Sequence, residues 1–195
     1  EFTTAVSGKE LYDVVGKTAY DKYDFESYVD GEENDFYKEI ARNNRGDIDE
    51  TGNGALTQVF VDTDDEFVTV TIINTYLAQA TSDYNEKKDT INFEIYGLSS
   101  ANGSVSGEDF DIVDLLADDF VLVTYAKPEK EIQSISDVEI ISNTNIDRFS
   151  AGKGGSLTVD GTKYNYSETA TYDPEVLEKY TVEGGAVTNL KDTTY

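Results

Sequence analysis

Residues 59–96, VFVDTDDEFVTVTIINTYLAQATSDYNEKKDTINFEIY, constrain the fold more than any other part of this chain. Val68, Val70 and Ile72 recur at every second position, as do Ile91, Phe93 and Ile95. A period of two places one set of side chains on a buried sheet face. Residues 62–66 read as an acidic turn between strands, Asn74-Thr75 as a bend or bulge, and residues 85–89 as the turn into the last strand of the run.

Other segments extend the same pattern. Residues 120–125, FVLVTY, read as an apolar strand buried on both faces, interrupted at Pro128 and resumed over residues 132–141. Residues 156–160 and 162–167 form two strands around Asp160-Gly161, the strongest hairpin signal in the chain. The aromatic-rich residues 11–28 predict one or two strands. Residues 32–44, EENDFYKEIARNN, change period and predict a short helix with Phe36 and Ile40 on one face and acidic residues leading. Brief helical turns are expected over residues 110–116 and 174–180, the second with Asp173 as cap and Pro174 at its first position. Residues 186–195 read as the start of a further strand. The expectation is an all-β protein with two or three short helices, built as one or two small barrels or sandwiches. Its expected divisions are residues 1–56 (N-terminal strands, the short helix and an acidic loop), 57–168 (the main β unit) and 169–195 (a turn and an incomplete strand).

Composition then narrows function. Forty Asp and Glu against fifteen Lys and Arg give a formal charge of −25, a field that repels phosphate backbones and anionic lipid. Nucleic acid is therefore not an expected partner. No apolar run approaches the ~20 residues of a membrane-spanning helix, so membrane insertion is not expected either. The absence of Cys rules out disulfides and suits an exported bacterial protein or a cytosolic one. The absence of Met, including at position 1, suggests a piece of a longer chain.

No motif carries catalysis. Without His or Cys there is no His-based triad, thiol nucleophile or thiolate zinc site, and any carboxylate pair among forty is unspecific, so no catalytic residue is nominated. Asp47-Ile48-Asp49-Glu50-Thr51-Gly52 has the alternating oxygen ligands of a calcium loop, but the position for the closing bidentate Glu holds Gln58. Asp47 and Asp49 in this loop, with Asp62 and Asp64 in the acidic turn, are the candidate Ca2+ ligands, the ordinary alternative being solvated turns. Tyr20, Tyr23, Phe25 and Tyr28 are the only hint of a carbohydrate-stacking platform, and such a set more often belongs to a core or sheet surface.

Four segments carry a family resemblance: EIARNNRGDIDETGNGALTQVFVDTDD (residues 39–65), VTVTIINTYLAQATSDYNEKKDTINF (68–93), DDFVLVTYA (118–126) and SLTVDGTKYNYS (156–167). In this succession the chain resembles the long non-anchoring regions of S-layer-homology-domain surface proteins from Gram-positive gut bacteria of the clostridial group. The resemblance implies an extracellular, cell-wall-associated location and a structural or interaction role as a spacer or assembly module. The expected partners are neighbouring domains or copies of the same surface protein, and a glycan or host protein. A carbohydrate-binding module is the alternative.

Overall fold

The computed structural model describes residues 1–138, 146–150, 156–159, 161–165, 167, 181–183 and 186–188. The chain is mainly β, with two α-helices and one 3-10 turn among the described residues. Two of its sheets each enclose a separate apolar core.

The first module begins with α1 (Gly8–Val15) and α2 (Lys17–Lys22), where strands were expected. The helix signal is a capping box: the Ser7 side chain accepts from the Glu10 amide, while the Glu10 carboxylate accepts from the Ser7 amide at 2.9 Å. Two orphan amides of the first turn are thereby satisfied. The Ser7 hydrogen bonds hold the Glu10 carboxyl below its ordinary range. Leu11, Tyr12, Val15 and Ala19 then fall at helical spacing and are all buried, whereas a strand would have put Leu11 and Tyr12 on opposite faces. Ion pairs Lys9–Asp13 and Lys17–Asp21 lie along the exposed faces.

Next come β1 (Asp24–Val29) and β2 (Glu32–Asn34), followed by a 3-10 turn (Phe36–Glu39). The helix expected over residues 32–44 is thus replaced by a strand and a single tight turn. The cause is the dipeptide Asp30-Gly31, with φ of 52° and 80°, which folds Val29 back opposite Glu32 in a two-residue hairpin. Phe36 and Ile40 do bury together, at 2% and 1% exposure, but Ile40 does so from extended backbone after the 3-10 turn.

β3 (Ala55–Asp62) and β4 (Phe67–Asn74) form an antiparallel hairpin, and β4 also runs parallel to β1, giving the sheet order β2-β1-β4-β3. The boundary expected between residues 56 and 57 therefore falls inside β3. Val68, Val70 and Ile72 share a core with Val6, Leu11 and Phe36, because helices and sheet have only each other to cover their apolar faces.

The second module holds β5 (Tyr76–Ala80), β6 (Thr90–Ile95), β7 (Ser104–Ser106), β8 (Phe120–Ala126) and β9 (Glu131–Asp137) in the order β7-β6-β5-β8-β9. Every pairing in it is antiparallel. β8 alternates buried and half-buried residues, so one of its faces is only partly covered, not fully buried as its apolar sequence suggested. Within residues 110–116, where a brief helical turn was expected, Val113 and Asp114 form a turn closed by the Leu115 amide on the Ile112 carbonyl.

β4 and β5 are separated by Thr75 alone. Val68, Val70, Ile72, Asn74, Tyr76, Ala78 and Ala80 are all buried while the residues between them are half-buried, so the period of two passes from one module to the other without a slip. One extended run serves both cores.

Beyond these modules, β10 (Ile146–Ser150), β11 (Ser156–Val159) and β12 (Thr162–Asn165) form an antiparallel sheet. The hairpin expected at Asp160-Gly161 is present, with Val159 opposite Thr162 and Gly161 at φ 77°. β13 (Thr181–Glu183) pairs with β14 (Ala186–Thr188), so the strand expected from residue 186 has its partner just upstream. The helical turn expected over residues 174–180 lies outside the described residues, as do Asp160, residues 139–141 and residues 189–195.

One core position is chemically mismatched. Thr57 on β3 is fully buried and its hydroxyl has no hydrogen-bond partner among the described residues. Valine has nearly the same shape without the desolvated oxygen, so Thr57→Val should raise the unfolding free energy by about 1 kcal/mol in chemical denaturation. A loss of stability in that variant would show that the hydroxyl is satisfied in solution.

Candidate functional site

The most concentrated polar chemistry lies at the seam between the modules, on Asp30. Its side chain has no solvent exposure, yet it sits in the left-handed turn between β1 and β2, a conformation that Asp tolerates better than most residues. The turn aims the carboxylate at the junction of β4 and β5. There Oδ1 accepts from the Asn74 amide at 2.8 Å, and Oδ2 accepts from Asn74 Nδ2 at 3.0 Å and from the Tyr76 hydroxyl at 2.6 Å. Lys127 Nζ, one-third exposed at the end of β8, is 3.1 Å from Oδ2.

The backbone of the same residue ties in as well. The Asp30 amide donates to Ile72 at 2.8 Å, and its carbonyl accepts from the Lys127 amide at 2.9 Å. Thr75 donates to Gly54 at 2.8 Å on the β3 side of the seam. A Cβ placed on Gly31 would sit 3.3 Å from Pro128 Cδ, so the β1–β2 turn packs directly on the chain leaving β8. One buried anion thus gathers donors from the strand run shared by both modules and from the far end of β8. Burying a carboxylate costs several kcal/mol unless it is paired and hydrogen-bonded, and each of these contacts offsets part of that cost. Burial, reinforced by the hydrogen bond to Asp30, pushes the Tyr76 hydroxyl well above the ordinary tyrosine range.

A smaller polar staple closes the other side of the second module. The Asp89 carboxylate accepts from the Tyr84 hydroxyl and, at 3.1 Å, from Ser106 Oγ. The Tyr84 hydrogen bond holds the Asp89 carboxyl below its ordinary range, and the same bond raises the Tyr84 hydroxyl. It joins the β5–β6 connection to the end of β7.

The candidate Ca2+ ligands lie on two separate segments. Asp47 and Asp49 are exposed on the loop that leads into β3, whereas Asp62 and Asp64 lie at the end of β3 and in the turn beyond it. Among the described residues no three of Asp, Glu, His and Cys gather into a group able to hold a metal ion. Asp62 Oδ1 accepts from the amides of Asp64 and Asp65 at 2.9 and 3.0 Å, which lowers its pKa and closes the turn with the chain's own backbone. The loop before β3 is anchored by Ile48, which is fully buried, and by Thr51, whose hydroxyl accepts from the Val6 amide at 2.9 Å and donates to the Ile48 carbonyl at 2.7 Å.

The four aromatics that hinted at a platform do not all share one face. Tyr20 packs edge-on against Tyr12 and Phe25, with centroids 4.8 and 6.2 Å away, and Phe25 stacks on Tyr37 at 6.2 Å. Tyr23 and Phe25 pack on the first core. Strand alternation puts Tyr28 on the opposite face of β1, where its hydroxyl donates to Glu26 at 2.7 Å. They present no common flat surface.

Sequence reasoning missed Asp30. The signal was present, because Asp30-Gly31 is the same dipeptide as Asp160-Gly161. No helix among the described residues is long and apolar enough to cross a membrane. No family model, curated protein or solved structure matches the chain.

Asp30→Asn keeps the side-chain shape and the left-handed turn but removes the anion that four donor groups share. It should lower the unfolding free energy by about 3 kcal/mol in urea, and a change below ~0.5 kcal/mol would mean that the cluster is energetically idle. The Tyr76 shift has its own sign. A hydroxyl raised in the folded state contributes stability below its unfolded pKa of about 10, and that contribution is lost as pH rises through the folded value. Wild type should therefore lose stability relative to Tyr76→Phe only above about pH 10.

Proposed function

We propose that this chain is a non-catalytic structural module of an exported bacterial surface protein, acting as a stiff spacer between neighbouring domains or copies. The observation that supports this reading best is the single run from Phe67 to Ala80, which passes through both cores with only Thr75 between its strands. Domains joined by a flexible linker move independently. Here the connection is itself a paired strand on each side, and the Asp30 cluster fastens the ends of β1 and β8 across it. Such a unit transmits force and orientation along its length, which is what a spacer requires.

The surface assignment draws on the resemblance described above and on composition. A charge of −25 keeps an exported module soluble and repels like-charged surfaces, and a chain without Cys needs no oxidative folding. Its interactions would be made with folded surfaces of neighbouring domains, not through a reaction.

Native-state hydrogen exchange tests the stiffness. The slowest amides of β4 and β5 should exchange with one shared opening free energy equal to global unfolding, and Asp30→Asn should separate them. Distinct opening energies for the two modules in the wild type would defeat the single-unit reading. Location is tested by labelling intact source cells with an antibody against the module, and staining that requires cell lysis would end the surface assignment.

A further inference from the structure

The outer edge of β3 is open over its last residues. β3 ends the first sheet, paired on one side with β4 in unbroken register from Ala55 to Asp62. On its other side Phe2 makes an antiparallel bridge to Thr57, its amide donating to Thr57 at 2.9 Å and the Thr57 amide donating back at 2.8 Å. Hydrogen-bonding direction alternates along a strand, so Val59 and Val61 aim their N–H and C=O groups the same way as Thr57. Neither has a backbone partner on that side among the described residues. The side chains there are uncovered as well, Phe60 at 55% and Val61 at 39% exposure.

The other edges of the two modules are guarded. β2 and β7 have three residues each, and the pairing of β8 with β9 shifts register at Thr124–Tyr125. Short or bulged edges resist strand addition, as do Pro and Lys. β3 has eight residues and none of these devices. The Phe2 bridge marks this edge as one that accepts an antiparallel strand.

The open residues are complementary to themselves. Two identical antiparallel strands are related by a two-fold axis. With that axis at Phe60, Val59 of each copy stands opposite Val61 of the other, and their outward N–H and C=O groups bond one another. Phe60 meets Phe60 of the second copy at a non-hydrogen-bonded position, where side chains come closest. Gln58, whose Nε2 donates to Glu1 at 2.7 Å, exchanges that carboxylate for Asp62 of the second copy as Glu1 swings aside. An axis at Val59 would set Val61 on Thr57, which Phe2 already occupies, and one at Val61 would oppose Phe60 to Asp62. We infer that the β3 edge pairs with the same edge of a second copy, joining two four-stranded sheets into one. This deepens the spacer reading, on which it rests for the presence of neighbouring copies, by naming the surface they share. The charge of −25 on each copy opposes the contact, so pairing strengthens as salt screens the repulsion.

Amide NMR of the isotope-labelled full chain, in a concentration series to about 1 mM at ~0.05 M and ~0.5 M NaCl, tests the pairing. The amides of residues 58–62 should shift with concentration, more so in high salt. Phe60→Lys and Phe60→Glu each place like charges on the axis and should weaken association at least about tenfold, whereas an equal mixture of the two should restore it. Val61→Pro removes an outward N–H and should weaken it too. Phe60 is exposed and the Val61 amide faces outward, so an otherwise unchanged spectrum checks each fold. A monomer at about 1 mM in high salt would overturn the inference, as would association that weakens with salt, survives these variants or is not restored by the mixture. A monomer that keeps one shared opening free energy for β4 and β5 would lose this pairing and leave the spacer reading intact.

Discussion

A buried carboxylate must find partners, and in this protein Asp30 finds them only if two modules are correctly assembled around it. The residue has two tasks that coincide in space. Its backbone makes the left-handed turn that pairs β1 with β2, and its side chain receives donors from Asn74, Tyr76 and Lys127. Misplacing any of these would leave a charge or a donor desolvated, with a cost of several kcal/mol. The cluster therefore acts chiefly on specificity, since an apolar seam would tolerate sliding whereas this hydrogen-bonded one selects a single register.

The strand run from β4 into β5 gives that register its reach. Because alternation continues unbroken through Thr75, a one-residue slip in either module would turn the buried set of both outward. Asn74 and Tyr76 occupy the buried positions on either side of Thr75, and both donate to Asp30. Polar groups thus stand where the two apolar cores end, satisfied by one another instead of by water. The same economy holds on a smaller scale at Asp62 and Asp89, whose carboxylates close turns and strand ends. In a chain this acidic, several carboxylates serve as internal acceptors for the backbone and for tyrosine hydroxyls, which explains how part of the charge is structural.

Much of the β architecture was legible from residues 67–73 and 91–95, where the spacing of Val, Ile and Phe leaves little alternative to strands. The first forty residues were harder. Leu11, Tyr12 and Val15 look β-like by composition, and only the Ser7–Glu10 capping box distinguishes the helix. Phe36 and Ile40 lie four apart and suggested a helix, yet Phe36 buries from a 3-10 turn after a hairpin and Ile40 from the extended backbone that follows it. Local spacing was right about which side chains go inside and wrong about the backbone that takes them there. Oxygen-rich turns look alike in sequence whether their oxygens face a cation or, as Asp62 Oδ1 does, their own amides.

What the sequence determined by itself was the class of object: a mainly β, acidic, Cys-free chain with its strongest strands between residues 59 and 96. Those properties follow from side-chain period and charge, which are local or additive. What only the tertiary structure decided was where one module ends and the next begins, and that a single aspartate locks them. Asp30 and Tyr76 are far apart in the chain and nothing local couples them. Their meeting depends on the parallel pairing of β1 with β4, a long-range choice made by two apolar faces closing on one core.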